Sequence, residues 1–114
     1  MEKLYSFSKE YHVTIYGKKY NRIYLPKNLW QNFCLHHGEQ GYADIYIDAD
    51  HIEIVPNENG EFRISNNGTS PNGRNVVLPW VAIKKYAIRE GHYPSEITKN
   101  GAIKIRLTRI EDEV

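Results

Sequence analysis

The alternation of apolar and polar residues predicts two β-hairpins in the first half of the chain. Residues 11–16 and 20–25 are rich in β-branched and aromatic side chains, and residues 17–19 between them are typical of a turn. Residues 44–47 and 51–55 alternate in the same way on either side of a short acidic turn. In the second hairpin the isoleucines share one face, so we expect that face to cover a core.

A short helix is predicted between the two hairpins. Pro26 cannot serve in the middle of a strand, but it suits the first turn of a helix, where its missing N–H is no loss. Leu29, Trp30 and Phe33 follow at spacings of three and four residues and therefore share one helical face. Gly38 predicts the end of the helix, because glycine accepts the left-handed conformation common there.

The second half of the chain repeats this pattern. Residues 21–33 match residues 74–86 at a constant offset of 53, and both segments read as an apolar run, Leu-Pro and a helical stripe. The elements predicted here are a strand at 61–65, a long loop of turn formers at 66–73, a strand at 75–78, a helix opened by Pro79 and stopped by Gly91, and strands at 96–98 and 102–107 joined by an Asn-Gly turn.

The length of the chain shows how the two halves must combine. Each repeat has only about 50 residues, which is too few to bury a stable core alone. The 114 residues are therefore predicted to form a single domain, 1–114, made of two repeats, 11–56 and 61–110, that share one core. The expected fold class is mainly β with two short helices.

Charge is distributed in blocks although the formal net charge is only +1. Residues 1–35 carry a net charge of +4, residues 36–62 carry −7, residues 63–109 carry +7 and residues 110–114 carry −3. Like charges gathered in this way favour a binding surface, whereas the small total argues against a protein held to DNA by charge alone.

The cysteine count, the first residues and the amino-acid bias indicate the cellular compartment and the type of genome. A single cysteine, Cys34, excludes an internal disulfide, and the first ten residues lack the apolar stretch of a signal peptide, so we expect a cytoplasmic protein. No apolar run approaches the length of a membrane span. Richness in Ile, Asn, Lys and Tyr indicates an AT-rich genome, as in a virus or mobile element.

Two segments carry a family resemblance. Residues 22–29, Arg-Ile-Tyr-Leu-Pro-Lys-Asn-Leu, and residues 44–54 resemble the swapped-hairpin unit of the AbrB-type DNA-binding proteins, which include MazE-type antitoxins and the tandem MraZ-like proteins. In that family two units exchange hairpins and interlock into a barrel-like dimer. The resemblance therefore implies a tandem swapped-hairpin pseudo-dimer in one chain, a transcriptional regulator without enzymatic activity, and duplex DNA as partner. Whether two such chains form a homodimer stays open.

The resemblance also implies the DNA-binding residues. Lys18 and Lys19 correspond to the basic loop of the first hairpin, and Arg22 stands four residues before Pro26, where the family commonly has arginine. In the second half Asn75 occupies the Arg22 position with Arg74 beside it, which predicts a weaker DNA surface there. Further cations are candidates for phosphate contacts: Lys27, Lys84, Lys85 and Arg89.

Two other functions stay open. The first is a protein-interaction module, such as an antitoxin-like or virus-encoded inhibitor, that covers a basic partner with the acidic block between residues 39 and 61: Glu39, Asp44, Asp48, Asp50, Glu53, Glu58 and Glu61. The second is a small hydrolase using Cys34 or His37. No metal or cofactor is expected, because His36 and His37 are adjacent on a helix and project about 100° apart, and no glycine-rich phosphate loop precedes a helix.

Overall fold

Over the residues that the structure describes, the protein is mainly β, with one antiparallel sheet of nine strands and two short α-helices. The computed structural model describes residues 10–17, 21–67 and 70–112. In chain order the elements are β1 (Glu10–Tyr16), β2 (Arg22–Leu25), α1 (Lys27–His37), β3 (Tyr42–Ile47), β4 (His51–Pro56), β5 (Phe62–Arg63), β6 (Ser65–Asn67), β7 (Ser70–Val77), α2 (Trp80–Lys85), β8 (Gly91–Ile97), β9 (Ile103–Arg106) and a 3-10 turn (Ile110–Asp112). The predicted fold class is confirmed at this level.

The order of the strands makes the sheet a nearly closed barrel. Across the sheet the order is β5, β3, β4, β9, β8, β1, β2, β7 and β6. The two edge strands, β5 and β6, are consecutive in the chain and are separated only by Ile64. The sheet must therefore curl until its two edges lie side by side, and a single residue bridges the seam.

Branched aliphatic side chains fill the barrel. Ile52 faces Ile105 and Ile54 faces Ile103 across the β4–β9 pair, and all four are fully buried. Burying a side chain of this size contributes about 2 kcal/mol, so this pairing is a major part of the core. The predicted apolar face of α1 also packs inward, with Leu29, Trp30 and Phe33 all buried.

The ends of α1 follow the sequence prediction. Pro26 occupies the N-cap with extended backbone, and its carbonyl accepts a hydrogen bond from the Trp30 N–H at 3.0 Å. At the other end Gly38 has a φ of 81° and its N–H donates to the Cys34 carbonyl at 2.9 Å. A residue with a side chain would be strained at this φ, so the glycine ends the helix where it was expected.

The second helix is shorter than predicted. Pro79 opens α2 as expected, but the helix ends at Lys85 and not near Gly91. Ala87 takes a φ of 51° two residues later and turns the chain away. Gly91 instead begins β8, where a Cβ would lie 2.6 Å from side-chain atoms of both Arg109 and Glu111. This glycine therefore lies in a strand, with a φ of 157° and the ends of two side chains close to it, and does not end the helix.

The loop predicted at 66–73 is wrong, because most of it is strand. β6 and β7 pair with each other here, and the second half of β7, residues 74–77, pairs with β2. Pairing with β2 thus fixes the strand that continues from this segment, and the segment forms a hairpin despite the turn preference of Asn, Ser and Gly. Gly73 fits this position because the Tyr24 ring lies against it, and a Cβ would come within 2.5 Å of that ring. The strand predicted at 61–65 is in turn interrupted at Ile64.

The strand predicted at 96–98 is longer than expected and contains a proline. β8 begins at Gly91 and includes Pro94, while its pairing with β9 starts only at Ser95. In the described residues, β8 pairs at Pro94 with β1 alone. The missing N–H of Pro94 therefore falls at a position where the strand is paired on one side only. Beside it, the Glu111 carboxylate accepts the His92 backbone N–H at 2.9 and 3.1 Å. A side chain thus satisfies a donor that no neighbouring strand reaches.

Neither helix in the part of the chain that the structure describes has the length and apolar character needed to cross a membrane.

The close packing of Gly60 against β3 gives a stability prediction. A Cβ at Gly60 would lie 2.3 Å from the backbone carbonyl carbon of Ala43, whereas a Cβ at Gly41 meets nothing within 4 Å. We expect Gly60→Ala to lower the free energy of unfolding by about 2 to 3 kcal/mol, because backbone atoms cannot rotate aside as a side chain can. Gly41→Ala is the matched control and should change stability by less than about 1 kcal/mol. Urea unfolding of both variants tests this, and equal losses would contradict it.

Candidate nucleic-acid interface

The first hairpin places Arg22 on the outer face of the barrel. In the β1–β2 pair Ile15 faces Ile23 and Tyr16 faces Arg22. Because both isoleucines are fully buried, the alternating residues Tyr16 and Arg22 point outward, and Arg22 is exposed. Lys18 and Lys19, predicted in the connection between these strands, lie outside the described residues.

One exposed apolar side chain pairs with Arg22 across the strands, and two more follow it in the chain. Its cross-strand partner on β7 is Val77, which is 48% exposed. Two residues of the first turn of α2, Trp80 and Val81, are 45% and 71% exposed. The sequence pattern did not single out this apolar group. The internal repeat could have indicated that Trp80 is exposed. Trp80 matches Lys27 at the offset of 53 and thus falls at an outward position of the first helical turn.

The other predicted cations divide between the two ends of the β2–β7 pair. Lys84 and Lys85 are exposed on α2, which follows directly from the Val77 end of β7. Lys27 is exposed at the start of α1, beyond the opposite end of β2. The structure therefore places Arg22 at the same end of this strand pair as α2 and separates it from Lys27.

Arg89 is held by the C-terminal turn. Its Nη2 donates to a carboxylate oxygen of Asp112, and the same carboxylate accepts hydrogen bonds from Arg109 at 3.1 Å. The pKa of Asp112 is lowered by its hydrogen bond from Arg109. Arg89 is thus part of an ion-pair cluster that ties the C-terminal turn to the connection between α2 and β8.

Arg74 has a structural environment that differs from that of Arg22. Its side chain is only 16% exposed and its Nη2 lies 3.1 Å from Oε1 of Glu39. The guanidinium carbon lies over the Trp30 ring at 5.7 Å from the centroid, and Nη1 donates to the Gly73 carbonyl at 2.9 Å. These contacts join α1, the loop after it and β7. The side chain therefore packs between elements of the fold instead of projecting as Arg22 does.

Asn75, which stands where the first half has Arg22, is buried and hydrogen-bonded within the protein. It is 8% exposed, and its Oδ1 accepts a hydrogen bond from the Tyr16 hydroxyl at 3.3 Å. The two halves of the chain therefore differ at the position that matters most for the predicted DNA surface.

The acidic block is spread over one hairpin. Asp48 and Asp50 lie in the β3–β4 turn, whereas Glu58 and Glu61 lie beyond the other end of β4. Glu53 lies between them on the outer side of β4, opposite Lys104 on β9. Three of the acids already have partners in the fold: Glu39 pairs with Arg74, Asp44 accepts from Asn57 at 2.8 Å, and Asp48 accepts two backbone N–H bonds within its turn.

The residues considered for catalysis or metal binding lie on α1. Cys34 is half-buried, and burial raises the pKa of its thiol, with Glu39 adding to the effect and Arg74 opposing it. A raised pKa keeps the thiol protonated, which is the opposite of nucleophile activation. His36 donates from Nδ1 to the Asn32 carbonyl at 3.0 Å. Within the described residues, no three His, Cys, Asp or Glu side chains are grouped to hold a metal ion.

Comparison of the chain with protein-family models, with curated proteins and with solved structures gives no match.

The contacts of Arg74 predict an effect on stability. Arg74→Ala removes the packing on Trp30 and the ion pair, so we expect the free energy of unfolding to fall by roughly 1 to 2 kcal/mol. Glu39→Gln should cost less than about 0.5 kcal/mol, because the Glu39 side chain is 66% exposed and its ion pair is screened. Arg22→Ala is the control for an outward arginine. Urea unfolding compares the three variants, and an equal loss for Arg22→Ala and Arg74→Ala would contradict the assignment.

The β3–β4 turn predicts a dependence on pH. Hydrogen bonds from the backbone N–H groups of Asp50 and His51 hold the pKa of Asp48 below its usual value of 3.8. The ionised carboxylate therefore favours the folded turn above pH 3.8, and this contribution is lost as the pH falls through the lower folded pKa. A carboxyl-carbon NMR titration should give a midpoint below 3.8 for Asp48. A midpoint at or above that value would show that the turn does not hold the charge.

Proposed function

We propose that the chain is a non-enzymatic DNA-binding regulator, in which two swapped-hairpin units in tandem form one pseudo-dimeric barrel. The proposal rests on the strand pairing, on the exposed arginine at the first hairpin and on the resemblance of residues 22–29 and 44–54 to AbrB-type proteins.

The pairing register supports two related units. Arg22 pairs with Val77, and moving each residue by the repeat offset of 53 gives Asn75 and Tyr24, which also pair with each other. On the other side of the barrel Ile52 pairs with Ile105. A shift of 51 gives Ile103 and Ile54, which is again an observed pair. The β2–β7 and β4–β9 pairs are thus each mapped onto themselves by the repeat, as in a dimer with a twofold axis.

The strand neighbours also support exchanged hairpins. β1 pairs with β2 of its own half and with β8 of the other half, but not with β3. In the second half, β5 pairs with β3 and β6 pairs with β7. Taken together, β5 and β6 therefore occupy the position in the second half that β1 occupies in the first. The first hairpin of each half is therefore inserted next to the second hairpin of the other, which is the arrangement that gives swapped-hairpin dimers their name.

The hairpin that carries Arg22 supplies the proposed contact with DNA. A two-stranded β-ribbon fits the major groove of duplex DNA, and an arginine guanidinium can donate two hydrogen bonds to a guanine edge or to a phosphate. Arg22 projects outward at the first residue of β2, and Lys84 and Lys85 lie beyond the adjacent end of β7. The sequence predicts Lys18 and Lys19 in the turn before Arg22, outside the described residues. Because Arg74 is held by Glu39 and Trp30, the first half makes the main contact with DNA.

The single observation that carries the proposal is the outward guanidinium of Arg22 at the end of a hairpin inserted between strands of the other half. A flexible basic tail would need no such fold, whereas a groove-binding hairpin needs rigid support on both sides.

Fluorescence anisotropy with a random-sequence DNA duplex tests the function. Binding should weaken steeply with salt, because each phosphate contact releases a counterion. Lys18→Ala combined with Arg22→Ala should weaken binding by more than about tenfold and reduce the slope of log K against log salt by about 2.

The matched control for this double variant removes two charges elsewhere. Lys104→Ala combined with Arg106→Ala changes the outer face of β9, which lies three strands from β2 in the sheet. This control should bind DNA nearly as tightly as the unchanged protein. An equal loss in both double variants, or no duplex binding at low salt, would refute the proposal.

A further inference from the structure

A cavity lies at the end of the barrel that is remote from the β1–β2 connection. It has a volume of about 380 Å³ and is open on one side, which falls within the range of small-molecule sites. Its walls come from β1, from the last turns of α1 and from the start of the β8–β9 turn: Tyr11, Asn32, His36, His37, Ile97, Thr98 and Lys99. Because Tyr11 pairs with Ser95 and not with the hairpin end, the cavity is separate from Arg22.

The polar lining of the cavity offers hydrogen-bond donors. The Tyr11 hydroxyl accepts a hydrogen bond from Asn32 Nδ2, which leaves its own proton to donate. Thr98 is arranged in the same way, since its Oγ1 accepts the Ala102 N–H at 3.1 Å. Lys99 adds an exposed ammonium group. No Asp or Glu lines the cavity.

The end of α1 forms part of the cavity wall. A helix C-terminus normally repels anions because its last carbonyls are unpaired. Here one of these carbonyls, that of Cys34, accepts the Gly38 N–H at 2.9 Å, and one turn earlier His36 Nδ1 donates to the Asn32 carbonyl at 3.0 Å. Two imidazoles, His36 and His37, stand over this end of the helix and add further nitrogen groups to the cavity wall.

We infer that this cavity binds a small organic anion, a carboxylate or a phosphate ester with a short apolar part. The anionic head is held by Lys99 with the hydroxyls of Tyr11 and Thr98, and the apolar part lies on Ile97. A ligand here touches α1 of the first half and the β8–β9 turn of the second, so it bridges the two halves away from the DNA-facing hairpin.

A set of four probes of similar size tests the charge preference. Benzoate and phenyl phosphate are the anions, benzyl alcohol is the neutral probe and benzylamine is the cation, each titrated at constant ionic strength and followed by amide NMR. The two anions should shift the signals of Thr98, Lys99 and His37 and should saturate. Equal or stronger binding of the alcohol or the amine would overturn the inference, as would anion binding with no shift at these residues.

Two lysine variants separate a site from a general charge effect. Lys99→Ala should weaken benzoate and phenyl phosphate binding by about tenfold or more, because a charge-assisted contact is lost, and Lys99→Arg should restore part of it. Lys104→Ala removes the same charge from the outer face of β9 and should leave anion binding unchanged. An equal loss for both alanine variants would refute the site. Duplex binding of Lys99→Ala is measured in parallel, so the anion site can fail while the DNA proposal stands, and the reverse.

Discussion

The fold depends on pairing between strands that are far apart in the chain. β2 finds its second neighbour in β7 and β4 finds its second neighbour in β9, and the isoleucines at these two junctions are fully buried. Neither half encloses a core without the other. Closing such long loops before any core forms costs conformational entropy, so the two halves must gain their stability together.

This dependence explains why equivalent positions in the two halves can take on different tasks. Since both halves support one core, a residue that is a surface residue in one half can have a buried structural role at the corresponding part of the other half. Arg74 illustrates this, because it bridges Trp30 and Glu39 while Arg22 projects to solvent. The cavity beside α1 has the same character, since its walls come from both halves and it exists only in their combined form.

The sequence predicted those features that depend on neighbouring residues. The hairpin at residues 44–55, the start of each helix at a proline and the buried face of α1 all follow from periodicity and local conformational limits. It failed where a distant partner decides the structure. The segment at 66–73 has the composition of a loop, yet β6 and β7 pair there as a hairpin whose continuation, residues 74–77, pairs with β2. In the same way β8 is extended by β1 beyond what its own residues indicate. The candidate site shows the same division: exposure of Arg22 follows from alternation, but the burial of Arg74 and the cavity at Lys99 arise only in three dimensions.

The step at Ile64 has a consequence for how copies of the protein can meet. The two strands that border the seam contain two and three residues, and the chain itself passes from one to the other. Short borders of this kind offer little unpaired backbone as a template for another chain. Within the described residues the two border strands themselves therefore disfavour extension of the sheet into a second molecule.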